Sequence, residues 1–388
     1  MSPVQIDRPD EGHERQWTLH LNPQHPAGHG PITLTLRVDS LRDDATILWA
    51  EPHIIPLHRG VEKLFESRDY RQALMLADRH EWHSAFGSEL GLALTIEAMA
   101  GMTVPDRATW IRTTMAELNR AIHHLRWFGE TVGQLAGEEP AGISLRNEAR
   151  RTRDALVLLH EAMSGGRLHP MLVVPGGVRE DTPSGWVRSL SASVEESARL
   201  VVLLREWLAR QTELAGVGVL TSELATAFGV TGPVARASGA PLDLRLDDPY
   251  IGYSELANSG ELRRSTATAG DSSARLQVLL DELDISFQCL ARCAVELNAP
   301  SNQGPVNVRL PRSLRLPEGS GYGWTENPSG INGWFLMSRG GPMPYRLKLR
   351  TASFANAQAF CHVVVGSTVC DLPAILMSFL LVGGDLGK

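Results

Sequence analysis

The stretch NPQHPAGHG, residues 22–30, places two imidazoles, His25 and His29, four positions apart among two prolines and two glycines. Imidazole changes charge near neutrality, so it can move a proton or donate a hydrogen bond to a carbonyl. On a helix the same spacing would suit a metal, but Pro26 and Gly28 oppose helical geometry. A metal site also needs a third and fourth ligand, and the chain has neither an HExxH nor a CxxC. Three readings stay open: a metal ligand pair, a histidine that closes a turn through backbone hydrogen bonds, and a stiff loop that holds an imidazole toward a pocket. Other candidates are scattered. HRGVEK (58–63) puts Arg59 before a helix, as a solvated charge or as positive charge lent to an anionic cofactor. His123 and His124 are adjacent on a helix, where neighbours point to different faces, so one of them is expected to pack. RASGAPLDLR (236–245) and RGGPMPYR (339–346) are glycine-containing loops with arginines, but neither matches a Walker A loop or the GxGxxG of a dinucleotide fold. No nucleotide site is expected. Cys289, Cys293, Cys361 and Cys370 read as buried apolar thiols of a reducing compartment.

Two kinds of element must position these residues. Trp17, Leu19 and Leu21, then Ile32, Leu34, Leu36 and Val38, alternate with polar residues, which predicts half-buried antiparallel strands joined by NPQHPAGHG. A third strand is expected over 46–49. Helical stripes follow: Ile111, Met115, Leu118, Ile122, Leu125 and Val132; Val187, Leu190, Val194, Val201, Leu204 and Leu208; Leu276, Leu279, Leu283, Phe287, Leu290 and Leu297. Shorter helices are expected near 61–78 and 84–100, and a loose excursion over 254–273. Trp334–Met337 and Tyr345–Leu349 read as a strand pair, followed by a final apolar helix ending at Gly383 and Gly384. The fold class is α+β, mostly α: a helical bundle with small antiparallel sheets from the N- and C-terminal regions. The expected regions are 1–60, 61–310 and 311–388, within one continuous fold.

Composition sets bounds. The 388 residues carry a net charge of -7, which gives no electrostatic footprint for nucleic acid. The polar N-terminus resembles no signal or transit peptide. The longest apolar run, 372–382, contains Pro373 and Ser378 and is too short to span a bilayer. If the protein works at a membrane, other chains hold it there.

Ordered blocks from about Trp17 to the C-terminus resemble the D subunit of respiratory complex I, the NADH-quinone oxidoreductase. They are PQHPAGHG (23–30), PHIIPLHRGVEK (52–63), RAIHHLRWFG (120–129), GGRLH and PGGV (165–178), GVTGPVARASG (229–239), GGPMPYRLKLR with ASF (340–354) and DLPAIL (371–376). The resemblance implies the fold of the nickel–iron hydrogenase large subunit without its two CxxC pairs, hence no metal on this chain. It implies a quinone cavity shared with the small, B-like iron–sulfur subunit, beside a C-like subunit and membrane-arm subunits. NADH and FMN would bind other subunits. The location implied is peripheral, at the cytoplasmic face of the cell membrane, and the isolated chain would have no activity. His29 matches the residue that meets the quinone headgroup. Arg59 and His169 match the arginine and histidine beside the terminal iron–sulfur cluster, where positive charge favours the reduced cluster.

The departures are specific. After D-R-x-D the family has a tyrosine beside the quinone; here DRHEW puts Trp82 there, and indole donates a hydrogen bond but supplies no proton as a phenol does. The family aspartate that pairs with the quinone histidine falls near Gln134, which can orient an imidazole but cannot stabilise its charged form as a carboxylate would. In the family block GDxxxRxxxR, Gly270, Asp271 and Arg275 persist while Leu279 takes the second arginine. Two expectations follow: a divergent D subunit with quinone chemistry at His29, Trp82 and Gln134, or a degenerate paralogue that serves as a structural or assembly scaffold.

Overall fold

The computed structural model describes residues 4–7, 16–21, 32–42, 44–53 and 58–387. The alternating N-terminal segments form strands β1 (Val4–Asp7), β2 (Gln16–Leu21), β3 (Ile32–Val38) and β4 (Ile47–His53), paired antiparallel in chain order. Leu21 pairs with Ile32, so the strands on either side of NPQHPAGHG are partners, as expected. That loop, with His25 and His29, lies outside the described residues. On the polar side of β3 Arg37 is exposed, but Thr33 and Thr35 are buried, with hydroxyls 3.2 Å from His20 Nδ1 and 2.7 Å from His53 Nε2. The strand expected over 46–49 runs on to His53.

Helices α1 (Val61–Phe65), α2 (Tyr70–Ala77) and α3 (Ala85–Ala100) lead into the longest, α4 (Asp106–Leu135). Antiparallel to its end comes α5 (Pro140–Ser164), which none of the anticipated stripes covered. Its signals were present: Pro140 in the first turn, and Leu145, Ala149, Leu156, Leu159 and Met163 on one buried face. After a two-strand pair, β5 (Val173–Val174) and β6 (Gly177–Val178), helix α6 (Trp186–Ala209) packs on α5. Four short helices follow: α7 (Ser222–Phe228), α8 (Pro233–Arg236), α9 (Leu244–Asp247) and α10 (Tyr253–Ser259). They correct the loose excursion, since Tyr253–Ser259 is helical and Asp271 caps α11 (Ser272–Asn298). The Asp271 carboxylate accepts from Ala274 N and Gly216 N at 2.8 Å each. Helix α11 lies against α4 and α6, so the three anticipated stripes meet in one core.

The C-terminal sheet has three antiparallel strands, β7 (Gly319–Asn327), β8 (Gly330–Ser338) and β9 (Arg346–Arg350), where two were expected. GSGYGWTEN carries too many glycines to read as a strand. It pairs because those glycines let β7 lie close to α3: a Cβ on Gly323 would stand 2.2 Å from Thr95 Oγ1. The single final helix is α12 (Ala352–Val363), α13 (Leu372–Ser378) and α14 (Gly383–Leu386), with Pro373 in the first turn of α13. Cys289, Cys293 and Cys361 are buried as expected, whereas Cys370 is exposed.

Candidate site between the α2–α3 turn and the bundle

Residues 78–84 link α2 to α3 and gather most of the candidates. Trp82 is half-buried. Its ring lies 3.8 Å, centroid to centroid, from that of His83, and the Arg126 guanidinium stands over it at 5.2 Å. Burial lowers the Arg126 pKa to about 10, with Arg153 acting the same way. The indole face partly replaces lost hydration through cation–π attraction. His83 is buried, edge-on to His123 with centroids 6.1 Å apart. Gly384 closes this corner from the C-terminus: a Cβ there would lie 2.7 Å from His80 O and 3.6 Å from Trp82 Cδ1.

Arg59 and His169, 110 positions apart in sequence, meet through the same turn. Arg59 donates to Arg79 O at 3.0 Å and to Gly384 O at 2.8 Å. Arg79 pairs with buried Asp78 at 3.0 Å, and Asp78 Oδ2 lies 3.1 Å from His169 Nδ1. The result is a patch of two guanidiniums, Arg59 and Arg79, beside the His169 imidazole, anchored by one buried carboxylate. Arg79 was missed in the sequence although DRHEW displayed it, because an arginine beside an aspartate most often reads as a solvated pair.

Behind Trp82 is a sealed polar layer. His80 Nδ1 and Asp385 Oδ1 are 2.8 Å apart and both side chains are fully buried. Glu81 is buried too, with Oε2 accepting from Asn327 Nδ2 at 2.7 Å. Burial first, then the nearby Asp385 charge, pushes the Glu81 carboxyl well above its ordinary value.

Deeper, between α4, α11 and the short helices, the arginines of RASGAPLDLR prove to be internal. Arg236 pairs with Glu282 and Glu326 at 2.7 Å each, and Arg245 with Asp243 at 2.8 Å and Glu117 at 3.4 Å. Glu117 also accepts from Tyr253 and Ser286 hydroxyls at 2.7 Å each, and from Arg120 at 3.3 Å. Burial alone would raise Glu282, but Arg236 and its neighbours hold it down to about 2. In RGGPMPYR, Arg346 pairs with Glu62 and Glu66 at 2.9 Å. The arginines of RASGAPLDLR are therefore engaged internally, and in RGGPMPYR the exposed Arg339 lies over the Tyr345 ring at 3.4 Å.

Against the expectations, the structure brings together Trp82, Arg59 and His169, and does not bring Gln134 to them. Gln134 is exposed, eight residues beyond Arg126 on α4, or about 12 Å along the helix. His123 and His124, of which only one was expected to pack, are both buried, with Nδ1 atoms 3.2 Å apart. Among the described residues no group of three His, Cys, Asp or Glu side chains could hold a metal. The thiols are spread over α11, α12 and residue 370, which does not fit a four-thiolate centre.

Comparison with known proteins converges. The family model described as "Respiratory-chain NADH dehydrogenase, 49 Kd subunit" matches residues 143–315 and 308–388. The D 1 subunit of NADH-quinone oxidoreductase from Streptomyces coelicolor is 47% identical over 380 residues, covering 95% of this chain and 94% of that protein. The D 2 subunit from Salinispora arenicola is 45% identical over 375 residues, covering 95% and 93%. The D subunit from Clostridium beijerinckii is 33% identical, covering 99% and 100%. Among solved structures, a chain of the membrane-bound sulfane sulfur reductase, an archaeal respiratory membrane complex, superposes with a TM-score of 0.87 at 29% identity, covering 98% of this chain and 100% of that one.

Proposed function

The chain belongs to the 49 kDa subunit family of respiratory-chain NADH dehydrogenase and is a subunit of an NADH-quinone oxidoreductase, and on that premise we propose that its α2–α3 turn forms one wall of the quinone cavity. The observation that carries the reading is the 78–84 turn itself. It presents Trp82 on one side and the Arg59–Arg79–His169 patch on the other, within a single rigid corner closed by Gly384. Electron tunnelling needs the quinone near the cluster, and one short turn that serves both meets that need. The cationic patch faces the iron–sulfur cluster of a small, B-like partner and favours its reduced, more negative form. Trp82, with the Arg126 charge over its ring, offers the quinone an aromatic wall, His29 hydrogen-bonds its headgroup, and Gln134 lies at the margin. NADH and FMN bind other subunits. A C-like protein and membrane-arm subunits complete the assembly at the cytoplasmic face of the membrane; no helix among the described residues is long and apolar enough to cross a bilayer itself.

The test is binding of quinone, or of a quinone-site inhibitor, to the assembled complex, with Trp82→Ala and His29→Ala as comparisons. Binding that both substitutions weaken about tenfold or more supports the reading, since a stacked aromatic surface contributes on the order of 1 kcal/mol beyond its buried area. An assembled complex that holds its iron–sulfur partner yet binds no quinone would instead identify the chain as a scaffold. The Trp82→Tyr, Gln134→Asp double substitution checks the departures: quinone reduction should rise if the cavity works.

A further inference from the structure

Arg126 carries the charge at the Trp82 corner that the neighbouring acids do not answer. Its side chain is half-buried on α4, and its guanidinium stands over the indole at 5.2 Å. Among the described residues it makes no hydrogen bond and no ion pair. Glu130, one helical turn on, is its i,i+4 neighbour and could have paired with it. Arg150 of α5 takes that carboxylate instead, its Nη2 donating to both Glu130 oxygens at 3.1 Å. Asp154, the other acid near enough to favour a charged Arg126, is exposed and accepts from Arg153 Nη2 at 2.6 Å. Three guanidiniums thus share two carboxylates, and the one left over is the one beside Trp82.

That surplus charge has a cost and a use. Burial first, then Arg153, disfavours the charged form, yet a pKa lowered to about 10 leaves Arg126 charged at neutral pH. The indole face attracts the charge but offers no oxygen to the N–H groups. A guanidinium has five such donors in a planar fork, suited to an electron-rich oxygen. The group that fits is a carbonyl oxygen on a flat ring that gains negative charge during its reaction, as a quinone does. The indole of Trp82 supplies no proton, and Gln134 is uncharged and about 12 Å further along α4. Neither brings charge to a headgroup at this wall, whereas Arg126 does.

We propose that Arg126 is a catalytic residue of the quinone wall: its guanidinium donates to one carbonyl oxygen of the headgroup and stabilises the negative charge that gathers there as electrons arrive. This rests on the placement of quinone beside Trp82. The complex supplies two electrons from NADH and water supplies two protons, so that both C=O groups of the quinone become C–OH groups. Arg126 keeps all its N–H bonds and is neither oxidised nor reduced. A hydrogen bond from a cation strengthens as its acceptor becomes negative. The contact is therefore worth more to the reacting quinone than to the oxidised one, and it acts on kcat more than on binding.

The test uses the assembled complex and a short-chain quinone with isotope-labelled carbonyls. The readouts are the quinone dissociation constant, kcat against KM, the infrared stretching band of the bound carbonyls, tryptophan emission and Tm. For Arg126→Leu the expected result is a carbonyl band moved toward that of free quinone and kcat lower by about tenfold or more. The dissociation constant should change less than kcat, and Tm should not fall, since the charge removed has no partner. Arg126→Lys keeps the charge without the planar fork and should recover part of kcat. Wild-type kcat and carbonyl band in Arg126→Leu overturn the proposal and leave Arg126 as a cover for the indole. It is also overturned if kcat falls with the band unmoved, tryptophan emission shifted and no recovery in Arg126→Lys, because Arg126 then acts only by holding Trp82. If Arg126→Leu does not assemble, the uncharged Arg126→Gln decides by the same band and rate. A wild-type complex that binds no quinone, or binding that Trp82→Ala leaves unchanged, overturns the wall reading and this inference with it. Binding that Trp82→Ala weakens, with band and rate unmoved in Arg126→Leu, overturns the role of Arg126 alone.

Discussion

At the residue scale the corner around Trp82 is defined by what burial does to charge. Glu81 and Glu89 are both buried, and burial pushes each well above the ordinary carboxyl value, helped by Asp385 and by Asp78 respectively. A carboxyl with a raised folded-state pKa binds its proton more tightly folded than unfolded. Its contribution is full below the unfolded value and is lost as pH rises toward the folded one. Glu89→Gln, which stays neutral, should therefore gain stability relative to wild type as pH is raised from 4.5 toward 8. Denaturant melts of the full chain across that range check it, and a difference that shrinks with pH would mean that Glu89 is held as a carboxylate. Trp82, Arg59 and His169 were legible as candidates because motif blocks carried them. Arg79 and the coupling of His123 to His124 were not, since adjacent helical residues ordinarily face apart and only α3, β7 and α11 closing over that turn brought both imidazoles inside.

At the element scale, the placement of the site depends on helix ends and close approaches. Asp271 caps α11 and also accepts from Gly216 N, tying the 27-residue helix to the chain before α7. Asp271→Ala should cost about 1 kcal/mol or more, read as a lower Tm of the full chain. Gly270, just before that cap, has φ +66 and a backbone site where a Cβ would stand 2.1 Å from Leu220 O. Gly270→Ala should therefore be worse than Asp271→Ala, and the reverse order would contradict the packing. Gly384→Ala is the matching test at the site: its methyl would stand 2.7 Å from the backbone oxygen of His80, so a lower Tm is expected together with a change in tryptophan emission as the turn carrying Trp82 shifts. The long apolar stripes announced α4, α6 and α11. Helix α5 and strand β7 were hidden, one by a polar exposed face and the other by glycines that make sense only against α3.

At the scale of the whole molecule, the bundle is organised around buried ion pairs as much as around Leu and Trp. Removing one partner of a buried pair leaves the other charge unpaired, so Glu282→Ala should cost about 3–5 kcal/mol, against Arg236 and Arg120. Glu282 is depressed from 4.5 to about 2 by those guanidiniums against the opposing effect of burial. Its stabilisation is present above the ordinary carboxyl value and lost as pH falls through the folded one, so acid unfolding of the full chain should steepen between about pH 4.5 and 2. In Glu282→Gln that steepening should be smaller. The chain's own order of residues determined the fold class, the paired strands around NPQHPAGHG, the three main helices and the family, because hydrophobic periodicity and motif spacing are local properties that survive without coordinates. Tertiary structure alone decided which charges are buried and who neutralises them. Arg236 and Arg245 read only as arginines of a glycine-containing loop, yet they are sealed inside against Asp243 beside them and carboxylates 46 to 128 positions away. The charge state of a group is set by its surroundings in space, and no spacing along the chain records what will fold over it.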